Sequence, residues 1–259
     1  MINNRKSMYR PISQLATLGL VAVLASNVAV AATTTTTPAT STTSTQAAKT
    51  AAQTATQQQH LATIKSKGDA EINRRLTQLG GLNTLINSAT RISAADKSTL
   101  TTQVNGEISG LTNLESQLNG ETTLAAAITD AQSIYTEYRV YALITPKVHL
   151  IKVADDQQVN EANLATLATK LQSRLTTAQS NGKNVTALEA TLVDLNNQVK
   201  IAQGISSTIE TAVIGLQPSD YDSNHTVLSG DAAQLKTAQT ANQAAFNDAK
   251  TIVQGVKNL

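Results

Sequence analysis

The sequence predicts an all-α protein, an antiparallel bundle of long coiled-coil-like helices, and three observations carry that reading. Apolar residues recur at spacings of three and four over most of residues 57–257. Turn residues punctuate the pattern at Asn119-Gly120, Asn181-Gly182 and Gln217-Pro218-Ser219-Asp220, leaving helix-length segments between them. Aromatic residues are 2% of the chain, with no tryptophan and one phenylalanine, so Leu, Ile, Val and Ala must build narrow helix seams.

Residues 1–31 read as a secretory signal peptide. Arg5, Lys6 and Arg10 precede an apolar run from Leu15 to Ala25, broken only by Thr17, and Ala29-Val30-Ala31 offers small residues for cleavage. That run is about half of the ~20 residues needed to span a bilayer, so cleavage is favoured over retention as an anchor. No later segment is apolar enough to span. Residues 32–56 are dominated by Thr, Ser, Ala and Gln, with Pro38 and no apolar face. They predict a disordered spacer, whether a tether open to O-glycosylation or a plain linker.

Segment one, 57–89, places Leu61, Ile64, Gly68, Ile72, Arg75, Leu79, Leu82 and Ile86 on one stripe, with a kink expected at Gly80-Gly81. Segment two opens at a capping box, Ser93 to Asp96, and carries Leu100, Val104, Ile108, Leu111, Leu114 and Leu118. Segment three, 122–180, is interrupted at Thr145-Pro146. Its stripe is Leu124, Ile128, Ala131, Tyr135 and Tyr138 before the proline, then Leu150, Val153, Gln157, Asn160, Leu164, Leu171 and Leu175. Segment four opens at a second capping box, Thr186 to Glu189. Its seam from Val185 through Leu188, Leu192, Leu195, Val199, Ala202, Ser206, Ile209 and Val213 to Leu216 alternates three and four without a fault. Segment five, 228–257, follows Leu235, Gln239, Asn242, Phe246, Ala249 and Val253.

Short connections force antiparallel neighbours, so 57–145 and 146–259 are expected to form two three-helix bundles in tandem, sharing a long helix kinked at Pro146. The competing arrangement folds the two halves side by side. Pairing about the turns brings Asn160, Ser206 and Gln239 to one level, with Gln157 and Asn242 close by. A structural polar layer is therefore expected there, fixing register. If segment five rotates, Ala238, Ala241 and Ala245 face inward instead and Gln239 is solvated.

Charge and composition exclude several functions. The formal net charge is +2, but three of the 20 basic residues and none of the 18 acids lie in the leader. The remainder is slightly acidic, with both signs interspersed, and predicts no nucleic-acid partner. Cysteine is absent, which excludes thiolate metal sites and thiol catalysis. His60, His149 and His225 have no metal-ligand partner at helical spacing, so no metal and no cofactor are expected. Asp155-Asp156 diverge by about 100° on a helix and read as a solvated face. No catalytic motif appears, and no enzyme is expected. The unusual concentration is Tyr135, Tyr138 and Tyr141 with Arg139. These are side chains favoured at binding hot spots, and equally suited to filling a thick junction between bundles.

Two stretches, residues 95–118 and Tyr138-Arg-Val-Tyr-Ala-Leu-Ile-Thr-Pro-Lys-Val-His-Leu150, resemble exported all-helical proteins of unknown function from small-genome candidate-phylum bacteria. The resemblance covers about residues 60–257 and implies a secreted or envelope location and an interaction role, with no activity to carry over. The expectation is an exported structural or interaction protein, a spacer or adhesin-like rod, whose partner is another protein or envelope component. The alternative is an envelope chaperone or binding module holding a peptide or lipid in an inter-helix groove. Heptad seams can close within one chain or between two, which leaves the oligomeric state open.

Overall fold

A computed structural model describes residues 42–259, so the leader and residues 32–41 of the spacer lie outside the described residues. Among the described residues the packed core lies within one compact unit, Ala48–Leu259. The described residues form α1 (Thr42–Ser88), α2 (Ala94–Gly120), α3 (Leu124–Thr136), a π-helical turn (Val140–Ile144), α4 (Thr145–Ser180), α5 (Thr186–Ile214), α6 (Pro218–Ser223) and α7 (Asp231–Lys257). No strand occurs among them. No described helix is long and apolar enough to cross a membrane.

α1 begins at Thr42, so residues 42–56 of the expected disordered spacer are helical. Alanines at 47, 48, 51, 52 and 55, the best helix formers, lie among the threonines there. The threonines satisfy their own hydroxyls: Thr54 donates to the Thr50 carbonyl and Thr56 to the Ala52 carbonyl, both at 3.0 Å. α1 also runs unbroken through Gly80-Gly81, where a kink was expected.

α1 and α2 pair antiparallel. Asn83 Nδ2 donates to Asn105 Oδ1 at 2.8 Å, Asn73 Nδ2 to Glu115 Oε1 at 3.3 Å, and Asn119 Nδ2 to Asp69 Oδ1 at 3.0 Å. The expected stripes of both helices are inward, from Ile72 and Leu79 to Leu111 and Leu118. α3 is rotated from its expected stripe: Ala127 and Ile134 are buried, while Ile128 and Tyr135 face outward. Glycine explains the close approach, since a Cβ at Gly68 would lie 2.3 Å from Leu118 Cδ2 and 3.7 Å from Ile134 Cδ1.

The expected kink at Pro146 is displaced. α3 stops at Thr136, Arg139 takes a left-handed φ of 40°, and Pro146 falls in the first turn of α4. A proline there forfeits no hydrogen bond. Its ring would crowd a carbonyl one turn back, and the wider turn at Val140–Ile144, closed by Thr145 N–H donating to the Val140 carbonyl, precedes it directly.

α4, α5 and α7 pack on one another pairwise. The α5 seam is the expected one, with Val185, Leu192, Leu195, Val199, Ala202, Ser206, Ile209 and Val213 all buried. The capping box expected at Thr186 does not form. Val185 is drawn into the core as the residue before the helix, and Asn184 Oδ1 accepts from Thr186 N–H at 3.1 Å instead. α7 takes the rotated setting, turning Ala238, Ala241, Ala245, Ala249 and Ile252 inward and leaving Phe246 55% exposed. Small side chains let α7 lie close to its neighbours, and Gly255 carries this furthest: a Cβ there would lie 2.4 Å from Leu188 Cδ2.

The apolar core is not divided at residues 145/146. One cluster runs from α1, α2 and α3 through Ile144, Val148, Ile151 and Ala154 to Ile209, Val213 and Leu235. A second holds Leu164, Leu171, Leu175, Leu192, Leu195, Val199 and Ile252. Between them on α4 sit Gln157 and Glu161, at the level of Ser206 and Asn242, all buried.

Candidate functional site: a polar layer beneath an amide-lined groove

The polar layer forms, with partly different members. Ser206 is buried as expected, but its partner on α4 is Glu161 and not Asn160. Asn160 turns aside and accepts from Arg91 Nη2 at 2.7 Å, and Gln239 faces solvent. The α7 member is Asn242, whose Nδ2 donates to Gln157 Oε1 at 2.7 Å and to Glu161 Oε1 at 3.4 Å. Counting along antiparallel helices locates this level to within one residue. The choice between neighbours about 100° apart depends on helix rotation. Burial pushes the Glu161 carboxyl above its usual range, opposed by the bonds from Ser206 and Asn242.

Asn160 and Gln239 nonetheless belong to the same locality. They rim a groove of about 410 Å³ between α4 and α7. Six amide side chains line it: Gln157, Asn160, Asn163, Gln239, Asn242 and Gln243. Leu164, Leu167 and the half-exposed Phe246 supply its apolar part, and no charged residue lines it. The rotation that buries the alanine face of α7 is what delivers Phe246 to the surface. Asn242 Oδ1, behind the groove lining, is buried without a hydrogen-bond partner.

Tyr135, Tyr138, Tyr141 and Arg139 are drawn into structural contacts. Arg75, from the α1 stripe, lays its guanidinium over two rings, 4.7 Å from the centroid of Tyr135 and 5.2 Å from that of Tyr141. Glu71 pairs with the same guanidinium. Tyr138 packs on Gly110, where a Cβ would lie 2.6 Å from Cε1. Arg139 Nη2 pairs with Asp222 Oδ1 at 2.5 Å and lies over the Tyr221 ring, tying α6 to the junction.

Two titratable clusters escape sequence reading because their members come from different helices. Asp155, expected on a solvated face, is buried; its carboxylate comes within 4.8 Å of those of Asp96 and Glu210. Only Asp156 behaves as expected, accepting from Lys152 Nζ at the surface at 2.6 Å. Ser93 caps α2 by accepting from Asp96 N–H at 3.0 Å, while its own N–H donates to Asp155 Oδ2 at 3.2 Å. The reciprocal half of the expected capping box is thus taken over by α4. Gln158 Nε2 donates to Glu210. Burial pushes Asp155 up to about 7, with Asp96 and Glu210 adding repulsion and the Ser93 N–H opposing. Hard divalent cations take oxygen sets of this kind, but the protein's own donors already engage each carboxylate.

The second cluster surrounds Lys147, which is fully buried. Its Nζ donates to Gln103 Oε1 at 2.5 Å and to the Leu216 carbonyl at 2.9 Å. Burial pulls the amine down to about 8 against the attraction of Asp220 and Glu107, and burial pushes Glu107 up to about 7. Its role is to join α2, α4 and the end of α5.

Comparison with family models, with curated proteins and with solved structures yields no match.

Proposed function

We propose that this chain is an exported structural and interaction protein of the cell envelope, a spacer or adhesin-like helical element without catalysis. The α4–α7 groove is the contact it presents to a partner. In this reading α1–α3 and α4, α5 and α7 serve as successive three-helix bundles, and the spacer and leader account for delivery. The single observation that carries the interaction role is the groove itself. It is uncharged, amide-lined and edged by Phe246, a large aromatic ring left half in water outside the core clusters.

Two further observations support a non-catalytic reading. Lys147 and Asp155, whose displaced pKa values suit proton transfer, are both buried and bonded to the protein's own groups. The Tyr135–Arg75–Tyr141 stack fills the junction between helices. The alternative, a chaperone or module holding a lipid or peptide, draws on the same groove. A lipid tail is disfavoured there because the exposed amides of Asn163, Gln239 and Gln243 would lose water without a partner.

Cell fractionation and co-purification test the proposal. The chain is expected in the envelope or culture fluid, together with an envelope component. Recovery from the cytoplasm alone would overturn it.

A further inference from the structure

The groove's lining narrows the chemistry of what it holds. It carries no charge of either sign, so phosphates, carboxylates and ammonium groups gain no ion pair there. Its walls are the sides of α4 and α7, whose backbone N–H and C=O groups are spent within the helices, so an extended peptide cannot add to them as a strand. Its apolar part is limited to Leu164, Leu167 and Phe246, too little for the continuous stripe an amphipathic helix would need.

What the groove does offer is a set of side-chain amides, neutral groups that carry a donor and an acceptor on one carbon, beside one flat apolar ring; Asn160 Oδ1, Asn242 Nδ2 and Gln243 Nε2 are already engaged by the protein. Hydroxyls on adjacent ring carbons of a sugar are likewise neutral donors and acceptors. The C–H face of the same sugar covers an aromatic ring, whose face is electronegative. Behind the lining, Asn242 is 7% exposed, its Nδ2 is committed to Gln157 at 2.7 Å, and its shielded Oδ1 has no donor, so a ligand hydroxyl reaches it only by displacing neighbouring side chains. A buried acceptor without a donor is uncommon and costs free energy until one arrives. The polar layer beneath keeps this amide oriented, since Glu161 and Gln157 both accept from its nitrogen.

We infer that the α4–α7 groove is a binding site for a neutral oligosaccharide. The sugar stacks on Phe246 and is hydrogen-bonded by Asn160, Asn163, Gln239, Asn242 and Gln243. This rests on the interaction role proposed above and names the class of envelope component it would contact.

The test is a titration of the 15N-labelled full chain with chitotetraose and with maltotetraose, following side-chain amide resonances. An uncharged Asn/Gln/Ser peptide serves as comparison. The expected result is saturable shifts confined to the groove amides with at least one sugar, at a Kd of about 1 mM or tighter. Phe246→Ala is expected to weaken binding about tenfold, and Gln243→Ala about threefold. Both side chains are exposed, so circular dichroism should be unchanged. Saturable binding of the peptide and of neither sugar would overturn the ligand class while leaving an interaction role in place. Binding of neither, by a chain that still co-purifies with the envelope, would overturn the groove as a ligand site. Sugar binding undiminished in Phe246→Ala would overturn the stacking geometry and with it the assignment.

Discussion

The hydroxyl of Ser206 on α5 lies 2.9 and 3.0 Å from the two carboxylate oxygens of Glu161 on α4, with both residues almost wholly buried. This contact holds a carboxylate between two apolar clusters and marks where the core changes hands. It gives the long α4–α5–α7 packing one level at which no shifted register can satisfy every polar group.

Ser206→Ala removes the hydroxyl and leaves Glu161 with a single weak donor, Asn242 Nδ2 at 3.4 Å. The expected loss is about 1–3 kcal/mol of unfolding free energy at neutral pH, measured by urea denaturation. Glu161→Gln in the Ser206→Ala background should recover part of it, because an amide costs less to bury than a carboxylate. Unchanged stability in Ser206→Ala would show that Glu161 has no need of this donor.

Asp155 sets a pH dependence whose sign follows from its raised pKa. The folded chain keeps this proton up to about pH 7, whereas the ordinary value is 3.8. Between those values the folded state binds more protons than the unfolded, so this group's contribution to stability falls as pH rises and stays low above about 7. Asp155→Asn should therefore gain on the parent at pH 8 relative to pH 4, by roughly 2–4 kcal/mol. Thermal melts across that range check it; parallel pH profiles for the two proteins would remove the carboxylate cluster as their cause. Glu107, raised to about 7 by burial, gives a slope of the same sign in both proteins.

Glycines in these helices divide into two classes that alanine scanning separates. At Gly80 and Gly81 an added Cβ meets nothing within 4 Å, so alanine at either should stabilise by about 0.5–1 kcal/mol. At Gly110 the added Cβ would lie 2.6 Å from Tyr138 Cε1 and 3.0 Å from its hydroxyl oxygen, so alanine there should destabilise by about 1–3 kcal/mol. Equal effects at Gly80 and Gly110 would contradict the packing of Tyr138, just beyond α3, on α2.

Arg75 over Tyr135 and Tyr141 should behave as a stacked cation and not only as the partner of Glu71. Arg75→Ala is expected to cost about 1–2 kcal/mol, and a double-mutant cycle with Tyr135→Ala should return a coupling of about 0.5–1 kcal/mol. Arg75→Lys keeps the charge and loses the planar stack, so it should restore only part of the stability. Zero coupling to Tyr135 would reduce the contact to proximity.

Helix by helix, the fold was legible wherever one spacing repeated without competition. The α5 seam from Val185 to Val213 and the α1 stripe from Ile72 to Ile86 are buried as read. In α7 both Ala238-Ala241-Ala245 and Gln239-Asn242-Phe246 recur at three and four; the alanines are all buried, and of the larger residues only Asn242 is. Alanines permit a closer approach and so a better-filled interior, which no hydrophobicity count along one strand of sequence contains. The level of the polar layer was likewise legible, with Gln157 and Asn242 placed beside it, while its member Glu161, and the groove that Asn160 and Gln239 share, followed from rotation.

The sequence by itself determined helix as the regular structure of residues 57–257, the turns near 120, 181 and 217 and the apolar face of the best-patterned helix, because these depend on short-range spacing and backbone preference. Tertiary structure alone decided which face of α3 and α7 turns inward and that the helix breaks at 137–139, leaving Pro146 in the first turn of α4. It also brought Asp96, Asp155 and Glu210 together from three helices. Rotations of about 100° cost a helix almost nothing in its own hydrogen bonds, so they are settled by the fit of one helix against the others.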